Sequence, residues 1–78
     1  MKKKLLIIGS SGFFGKSIID FLEKKKIYDN FFSHIYLHYK SKKIKVSNKL
    51  KKKFNIILVK GDLSKIKKLP VSDYIIYT

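Results

Sequence analysis

The feature that most constrains this sequence of 78 residues is an apolar run that meets a glycine-rich loop and then a helical pattern. Residues 5–8, Leu-Leu-Ile-Ile, lie between lysines and glycine, which is typical of a strand buried on both faces of a parallel sheet. From residue 13 to about residue 26, apolar residues recur at helical spacing and predict an amphipathic helix with Asp20 and Lys24 paired on its polar side. The apolar positions of that helix are Phe14, Ile18, Phe21 and Leu22.

Three further strands are predicted downstream, with helical segments between them. Residues 34–40 alternate and place Ile35, Leu37 and Tyr39 on one face of a second strand. Then follow a short helix near residues 48–53, a buried strand over residues 56–59, one or two helical turns after residue 64, and a fourth strand over residues 74–77. The alternation predicts an α/β fold with a right-handed, all-parallel sheet in one small domain.

The formal net charge of +14 comes from 19 lysines, and the sequence has no arginine. Lysine clusters stand mostly at the ends of apolar segments, where a folded domain keeps its solvated side chains. Arginine is the residue that reads guanine edges and binds phosphate in a bidentate way, so its absence argues against a dedicated nucleic-acid module. We interpret the charge as a solvated surface and expect no specific nucleic-acid partner.

Neither a membrane segment nor a cysteine-based site is predicted. The apolar run at residues 5–8 is shorter than the roughly 7–15 residues of a signal-peptide core, and no run approaches the roughly 18 residues of a membrane span. The sequence has no cysteine, which excludes disulfides and cysteine-ligated metals. We therefore expect a cytoplasmic protein without a membrane partner.

His34 and His38 have the spacing of a metal-binding pair on a helix, but they fall on the second strand. Four residues along a strand separate two side chains by about 13 Å, so the two histidines cannot bind one ion. We expect them to be partly exposed strand residues, and we predict no metal site.

Three glycines, at positions 9, 12 and 15, follow the first strand and open the first helix. Gly9 permits a tight turn out of the strand, Gly12 allows a pyrophosphate to approach the backbone, and Gly15 allows the helix to pack closely on the sheet. The helix N-terminus adds free N–H groups and the positive end of its dipole. A loop at this place in the chain is typical of a dinucleotide site.

Three segments, in order along the chain, carry a family resemblance. The loop with Gly9, Gly12, Phe13 and Gly15 is similar to the T-G-x-x-G-F-x-G loop of the extended short-chain dehydrogenase/reductases, the NAD(P)-dependent epimerase/dehydratase family, although Ile8 replaces the usual threonine. Residues 59–63, V-K-G-D-L, resemble that family's x-G-D-L motif after the third strand, and residues 72–77, S-D-Y-I-I-Y, resemble its entry into the fourth strand. The resemblance implies a Rossmann-type parallel sheet that binds NAD or NADP.

The same resemblance implies roles for individual residues. Asp62 would hydrogen-bond the adenine amino group, Leu63 would flank the adenine, and the backbone around Ser11, Phe13 and Phe14 would hold the pyrophosphate. Two simpler interpretations stay open. Asp62 can be a turn residue that caps the segment after the strand. Phe13 and Phe14 can be core anchors of the helix, and for Phe14 core packing is the favoured role.

A partner for the cofactor ribose is expected at the end of the second strand, where an acid suits NAD and a base suits NADP. The sequence there is Tyr39-Lys40-Ser41-Lys42-Lys43 and contains no acid. Lys40, Lys42 and the Ser41 hydroxyl can stabilise a 2′-phosphate. The sequence therefore predicts a preference for NADP.

Members of this family carry catalysis on a Tyr-x-x-x-Lys pair in the second half of the Rossmann domain. Two literal matches, Tyr36 with Lys40 and Tyr39 with Lys43, fall on the second strand, and we attribute them to the abundance of lysine. We assign no catalytic residue and expect residues 1–78 to be an inactive N-terminal part of an NAD(P)-binding domain. For the full-length parent, the resemblance implies a homodimeric epimerase or dehydratase acting on a nucleotide-sugar.

Two alternative functions stay open. Residues 10–17 nearly fit the P-loop pattern G-x-x-x-x-G-K-[ST], with Lys16 and Ser17 as candidate contacts to a nucleoside triphosphate and Mg²⁺, but Gly9 stands one position too early. The other alternative is a complete, non-catalytic module that binds nucleotides or polyanions. The apolar fourth strand argues against it, because an uncovered apolar sheet edge is prone to association.

Overall fold

The computed structural model describes residues 2–41, 44–62, 64–65 and 69–77. Strands and helices alternate along these ranges. In chain order they are β1 (Lys3–Ile8), α1 (Phe13–Lys24), β2 (Phe32–Tyr39), α2 (Asn48–Lys53), β3 (Asn55–Lys60) and β4 (Tyr74–Tyr77). The predicted α/β class is confirmed.

The four strands form one parallel sheet in the order β3-β2-β1-β4, as the all-parallel prediction required. From β1 the chain adds β2 and β3 on one side, and it then returns to place β4 on the other side of β1. The direction in which strands are added therefore reverses at β1. The loop that follows β1 lies at this point of reversal.

Position in the sheet decides how deeply each strand is buried. Leu5, Leu6 and Ile7 of β1 are at most 2% exposed, and β1 has a neighbouring strand on each side. The predicted burial of β3 is wrong, because no residue of that strand is buried and Ile57 is 40% exposed. The reason is that β3 lies at an edge, where neighbours cover it on one side only.

One hydrophobic core lies between the sheet and the two helices. Its floor consists of Leu5 and Ile7 of β1 with the alternating residues Ile35, Leu37 and Tyr39 of β2, which share one face as predicted. The buried side chains that pack over this floor are Leu22 of α1, Ile44, Leu50 of α2 and Phe54. Both helices therefore cover the same face of the sheet.

The longer helix, α1, ends at Lys24, two residues earlier than predicted. Lys25 has an extended backbone (φ −93°, ψ 140°), and its amide donates to the Phe21 carbonyl at 2.9 Å. The predicted ion pair of Asp20 with Lys24 is present at 3.0 Å. Neither helix in the described ranges has the length and apolar character needed to cross a membrane.

The shorter helix, α2, has the predicted bounds, and a capping serine accounts for its start. The Ser47 hydroxyl accepts a hydrogen bond from the Leu50 amide at 3.2 Å, which satisfies one of the free amides of the first turn. The helical turns predicted after residue 64 include residues 66–68, which lie outside the described residues.

β4 is attached to β1 by two hydrogen bonds at its start. The Asp73 carboxylate accepts from the Lys4 amide at 2.8 Å, and the Asp73 amide donates to the Lys4 carbonyl at 3.0 Å. Asp73 thus extends the contact between the two strands by one residue. The aspartate that precedes the fourth strand has a structural role here.

Candidate functional site

The loop after β1 is a tight turn held by backbone contacts. Gly9 has a φ of +77°, in the left-handed region that favours glycine, and its carbonyl accepts from the Gly12 amide at 3.0 Å. Ser10 is fully buried and ties the turn to the sheet. Its hydroxyl donates to the Ile7 carbonyl at 2.8 Å, and its amide donates to the His38 carbonyl at 2.8 Å. The turn expected at Gly9 is therefore present, and Ser10 is an anchor that the sequence pattern did not reveal.

Gly15 allows α1 to approach the turn itself, not the strands of the sheet as the sequence suggested. A Cβ at Gly15 would lie 2.6 Å from the Ser10 Cα and 2.7 Å from the Gly9 carbonyl oxygen, closer than real Cβ contacts. A Cβ at Gly12 would lie 3.3 Å from the Gly9 oxygen, and a shift of a few tenths of an ångström would accommodate it. The absence of a side chain at Gly15 therefore sets how close the helix lies to the loop.

The N-terminus of α1 is left open by the residues around it. Gly12 is the N-cap and has no side chain to accept from the helix, and the first turn contains no acidic residue. Within the described part of the chain, no acceptor is hydrogen-bonded to the amides of Phe13, Phe14 and Gly15. Because the first amides of a helix also carry its positive dipole end, this position favours an anion.

Phe13 and Phe14 are not core residues, so the prediction of core packing for Phe14 is wrong. They are 80% and 69% exposed, and their rings contact each other edge to face with centroids 5.7 Å apart. Successive residues of a helix are rotated by about 100°. The buried face of α1 runs through Gly15 and Leu22, so Phe14 lies to one side of it.

Asp62 follows β3 and holds a turn. Its Oδ1 accepts from the Ser64 amide at 3.0 Å and from the Ser64 hydroxyl at 2.8 Å, while its Oδ2 lies 3.6 Å from the Lys40 ammonium. The Ser64 amide, then its hydroxyl and the nearby Lys40 charge hold the pKa of Asp62 below its ordinary value of 3.8. Asp62 therefore caps the turn after β3, as one of the two interpretations predicted. Its Oδ1 is used by Ser64, whereas its Oδ2 faces Lys40.

His38 is buried, contrary to the expectation of a partly exposed strand residue. It is 4% exposed, and both ring nitrogens have backbone partners. Nδ1 lies 3.2 Å from the Gly9 amide nitrogen, and Nε2 lies 2.8 Å from the Gly61 carbonyl oxygen. His34, on the same strand, is partly buried, and its Nδ1 lies 2.8 Å from the Ser33 hydroxyl.

The carboxyl ends of three neighbouring strands bring the predicted residues to one edge of the sheet. The glycine loop follows β1, Lys40 and the exposed Ser41 follow β2, and Asp62 follows β3. The Gly61 amide donates to the Tyr39 carbonyl at 2.9 Å and keeps the end of β3 beside β2. Three other predicted residues, Leu63, Lys42 and Lys43, lie outside the described residues.

Two grooves border α1. One, of about 720 Å³, lies between α1 and β4 and is lined mainly by apolar side chains, among them Phe14, Phe21 and Tyr74. The other, of about 330 Å³, lies along the polar side of α1 and includes Ser11 and Lys16. Neither groove is lined by Gly9, Gly12 or Asp62.

The two Tyr-x-x-x-Lys matches begin on a strand, as the sequence indicated. Tyr36 and Tyr39 belong to β2, and Lys40 follows its last residue. In the ranges that the structure describes, no three histidine or acidic side chains gather into a group that could hold a metal ion. Among the described residues, this edge offers backbone amides of the glycine loop, the Lys40 ammonium, the Ser41 hydroxyl and the Asp62 carboxylate.

Comparison with protein-family models, curated proteins and solved structures finds no significant match to this chain.

Proposed function

We propose that this chain binds the pyrophosphate and adenosine of NAD or NADP on a Rossmann-type sheet. The observation that carries the proposal is the open N-terminus of α1, which lies directly after a glycine turn where the strand order reverses. In open parallel α/β sheets, ligands bind outside the carboxyl ends of the strands at this reversal. The motif resemblance in three segments points to the same ligand.

The pyrophosphate is assigned to the first turn of α1. Free amides at Phe13, Phe14 and Gly15 can donate to phosphate oxygens, and no acidic side chain in that turn repels them. Gly12 and the exposed Phe13 leave this end of the helix accessible to solvent. Ser11, in the turn before the helix, completes the loop that faces the ligand.

The adenosine is assigned to the ends of β2 and β3. Asp62 keeps one carboxylate oxygen on Ser64, and its other oxygen, near Lys40, can accept from the adenine amino group. The Lys40 side chain is 72% exposed and can turn from Asp62 toward a 2′-phosphate, with the Ser41 hydroxyl beside it. The lysine and the hydroxyl, with no acidic residue at the end of β2, support NADP over NAD.

The wider biochemical setting is inferred from the resemblance alone. We infer that these residues form the NAD(P)-binding part of a homodimeric, cytoplasmic epimerase or dehydratase that acts on a nucleotide-sugar. The cofactor would supply hydride transfer at a sugar carbon. The glycine loop, Lys40, Ser41 and Asp62 would bind and orient the adenosine and pyrophosphate half of the cofactor.

Substitution of Ser11 tests the pyrophosphate assignment. In Ser11→Glu, a carboxylate at the open helix end is expected to weaken NADPH binding about tenfold by repulsion of the phosphates. The same charge stabilises the helix N-terminus by about 0.3–1 kcal/mol, so binding and stability should change in opposite directions. Affinity is measured by calorimetric titration and stability by urea unfolding.

Ser11→Gln is the matched control, because it has the same size without the charge. Equal NADPH affinities for the Glu and Gln variants would contradict the assignment of pyrophosphate to this helix end.

NADH is expected to bind more weakly than NADPH, and the reverse order would contradict the role of Lys40. Lys16→Ala should leave NADPH binding within about twofold, because the pyrophosphate is assigned to backbone amides of α1 and not to the Lys16 side chain. Binding of Mg²⁺-ATP that Lys16→Ala abolishes would instead favour the P-loop alternative.

A further inference from the structure

His38, on β2, has hydrogen-bond partners both in the glycine loop and in the segment after β3. Its Nδ1 lies 3.2 Å from the Gly9 amide nitrogen, and its Nε2 lies 2.8 Å from the Gly61 carbonyl oxygen. Gly9 begins the turn toward the proposed pyrophosphate position, and Gly61 immediately precedes Asp62. One buried ring therefore spans the two ends of the proposed site.

The two partners fix the chemical form of the ring. A backbone amide only donates, so Nδ1 must accept from Gly9, and a carbonyl only accepts, so Nε2 must carry the proton that is donated to Gly61. The neutral imidazole with its proton on Nε2 satisfies both contacts, whereas the opposite tautomer satisfies neither. The backbone carbonyl of His38 also accepts from Ser10 at 2.8 Å, which attaches the same residue to the loop a second time.

We infer that His38 is a positioning residue that couples the two ends of the proposed dinucleotide site. The inference rests on the proposed function. A ligand that spans both ends gains from their fixed separation, because the ring holds the loop and the Gly61 segment at one spacing before binding. A ligand that contacts only one end gains nothing from that spacing.

The test compares a spanning ligand with its two fragments. In His38→Leu, affinity for NADPH is expected to fall about tenfold, while affinities for inorganic pyrophosphate and for adenosine stay within about twofold. All three are measured by NMR titration of the chain. His34→Leu is the matched control, since it makes the same change on the same strand without touching the loop, and it should leave NADPH affinity unchanged.

Two smaller substitutions separate the contacts and replace His38→Leu if that variant does not fold. His38→Asn keeps an oxygen near Nδ1 that can accept from Gly9, and His38→Gln keeps an amide near Nε2 that can donate to Gly61. Each variant loses one contact, so each should lower the affinity for NADPH more than the affinity for pyrophosphate or for adenosine. A variant with unchanged NADPH affinity would overturn the inference.

The tautomer is measured on the unmodified chain by ¹⁵N NMR of the histidine rings. A protonated Nε2, with coupling between the Gly9 and His38 Nδ1 nitrogens across the hydrogen bond, supports the inference, and a protonated Nδ1 overturns it. If His38→Leu lowers the affinities for NADPH, pyrophosphate and adenosine equally, the inference is also overturned, because an equal loss indicates general structural damage. If the unmodified chain binds no NADPH, the proposed function itself fails and the coupling fails with it.

Discussion

The two ends of α1 differ in how their backbone groups are satisfied. At the C-terminal end, the Lys53 ammonium from α2 donates to the Glu23 carbonyl at 2.6 Å and to the Leu22 and Lys25 carbonyls at 3.4 and 3.3 Å. Lys53 also forms an ion pair with Asp29 at 3.3 Å, and its side chain is only 15% exposed. At the N-terminal end, the described residues provide the first-turn amides with no comparable partner.

This difference separates a structural helix end from one that is available to a ligand. The closed end places a cation against free carbonyls, which stabilises the negative end of the helix dipole. The open end keeps amides and positive dipole exposed at the glycine loop, where a satisfied cap would compete with a phosphate. The difference between the two ends supports a binding role for the loop. Substitutions at each end test this difference.

The largest expected effect is at Gly15, where the open end meets the turn. Gly15→Ala places a Cβ 2.6 Å from the Ser10 Cα, and backbone cannot move aside as a flexible side chain can. We expect a net loss of about 1–3 kcal/mol in unfolding free energy, despite the better helix propensity of alanine. Urea unfolding followed by circular dichroism measures this loss.

Gly12→Ala is the control for that substitution. Its Cβ would lie 3.3 Å from the Gly9 oxygen, and the backbone there is extended with a φ of −77°. We expect a loss below about 1 kcal/mol, of the size seen for an alanine N-cap. Equal losses for the two variants would show that Gly15 does not set the approach of α1 to the loop.

A smaller effect is expected at the closed end. Lys53→Met keeps most of the apolar stem but removes the cation from three carbonyls and from Asp29. We expect a loss of about 1–2 kcal/mol in unfolding free energy, with NADPH affinity unchanged, because this end is remote from the proposed site. The neighbouring Lys52→Met, at an exposed position, should change stability by less than about 0.5 kcal/mol.

The smallest effect concerns Asp62, which satisfies the Ser64 amide much as a cap does. Hydrogen bonds from Ser64 hold the pKa of Asp62 below 3.8 in the folded chain. The ionised carboxylate therefore stabilises the fold above that pH, and the contribution is lost as the pH falls from about 3.8 through the folded pKa. We expect the stability advantage over Asp62→Asn at pH 7 to shrink below pH 4 in thermal unfolding.

Ser64→Ala sharpens that measurement. The substitution removes the hydroxyl donor and keeps the amide, which is the larger cause of the lowered pKa of Asp62. At pH 7 the Ser64→Ala variant should still be more stable than the double variant Ser64→Ala/Asp62→Asn. That difference in stability should be smaller than the difference between the unmodified chain and Asp62→Asn. A pH profile for the unmodified chain that is identical to that of Asp62→Asn would contradict the stabilising role of the carboxylate.

The features that the sequence predicts correctly depend on residues a few positions apart. The β1 run, the turn at Gly9, and α2 after Ser47 all have local causes, namely continuous apolarity, a left-handed backbone and a capping hydroxyl. The i,i+4 pair of Asp20 with Lys24 is of the same kind. Each of these features was predicted at the position where the structure has it or close to it.

The buried face of α1 is predicted wrongly because a glycine, not an apolar residue, helps to define it. Helical spacing placed Phe14 in the core because it aligns with Ile18 and Phe21. The tertiary structure turns the face through Gly15 and Leu22 toward the sheet and leaves Phe14 exposed. A glycine carries no hydropathy signal, so its close contact with Ser10 could not be read from the pattern.

By itself the sequence determined the α/β alternation, the parallel strands and the glycine turn before α1. Tertiary structure alone decided the strand order, the edge position of β3, and the contacts made by His38 and Lys53. Gly9 and His38 are 29 residues apart, and Lys53 and Glu23 are 30 apart. The physical reason is that such partners meet only after the strands have taken their order in the sheet, which no local spacing specifies.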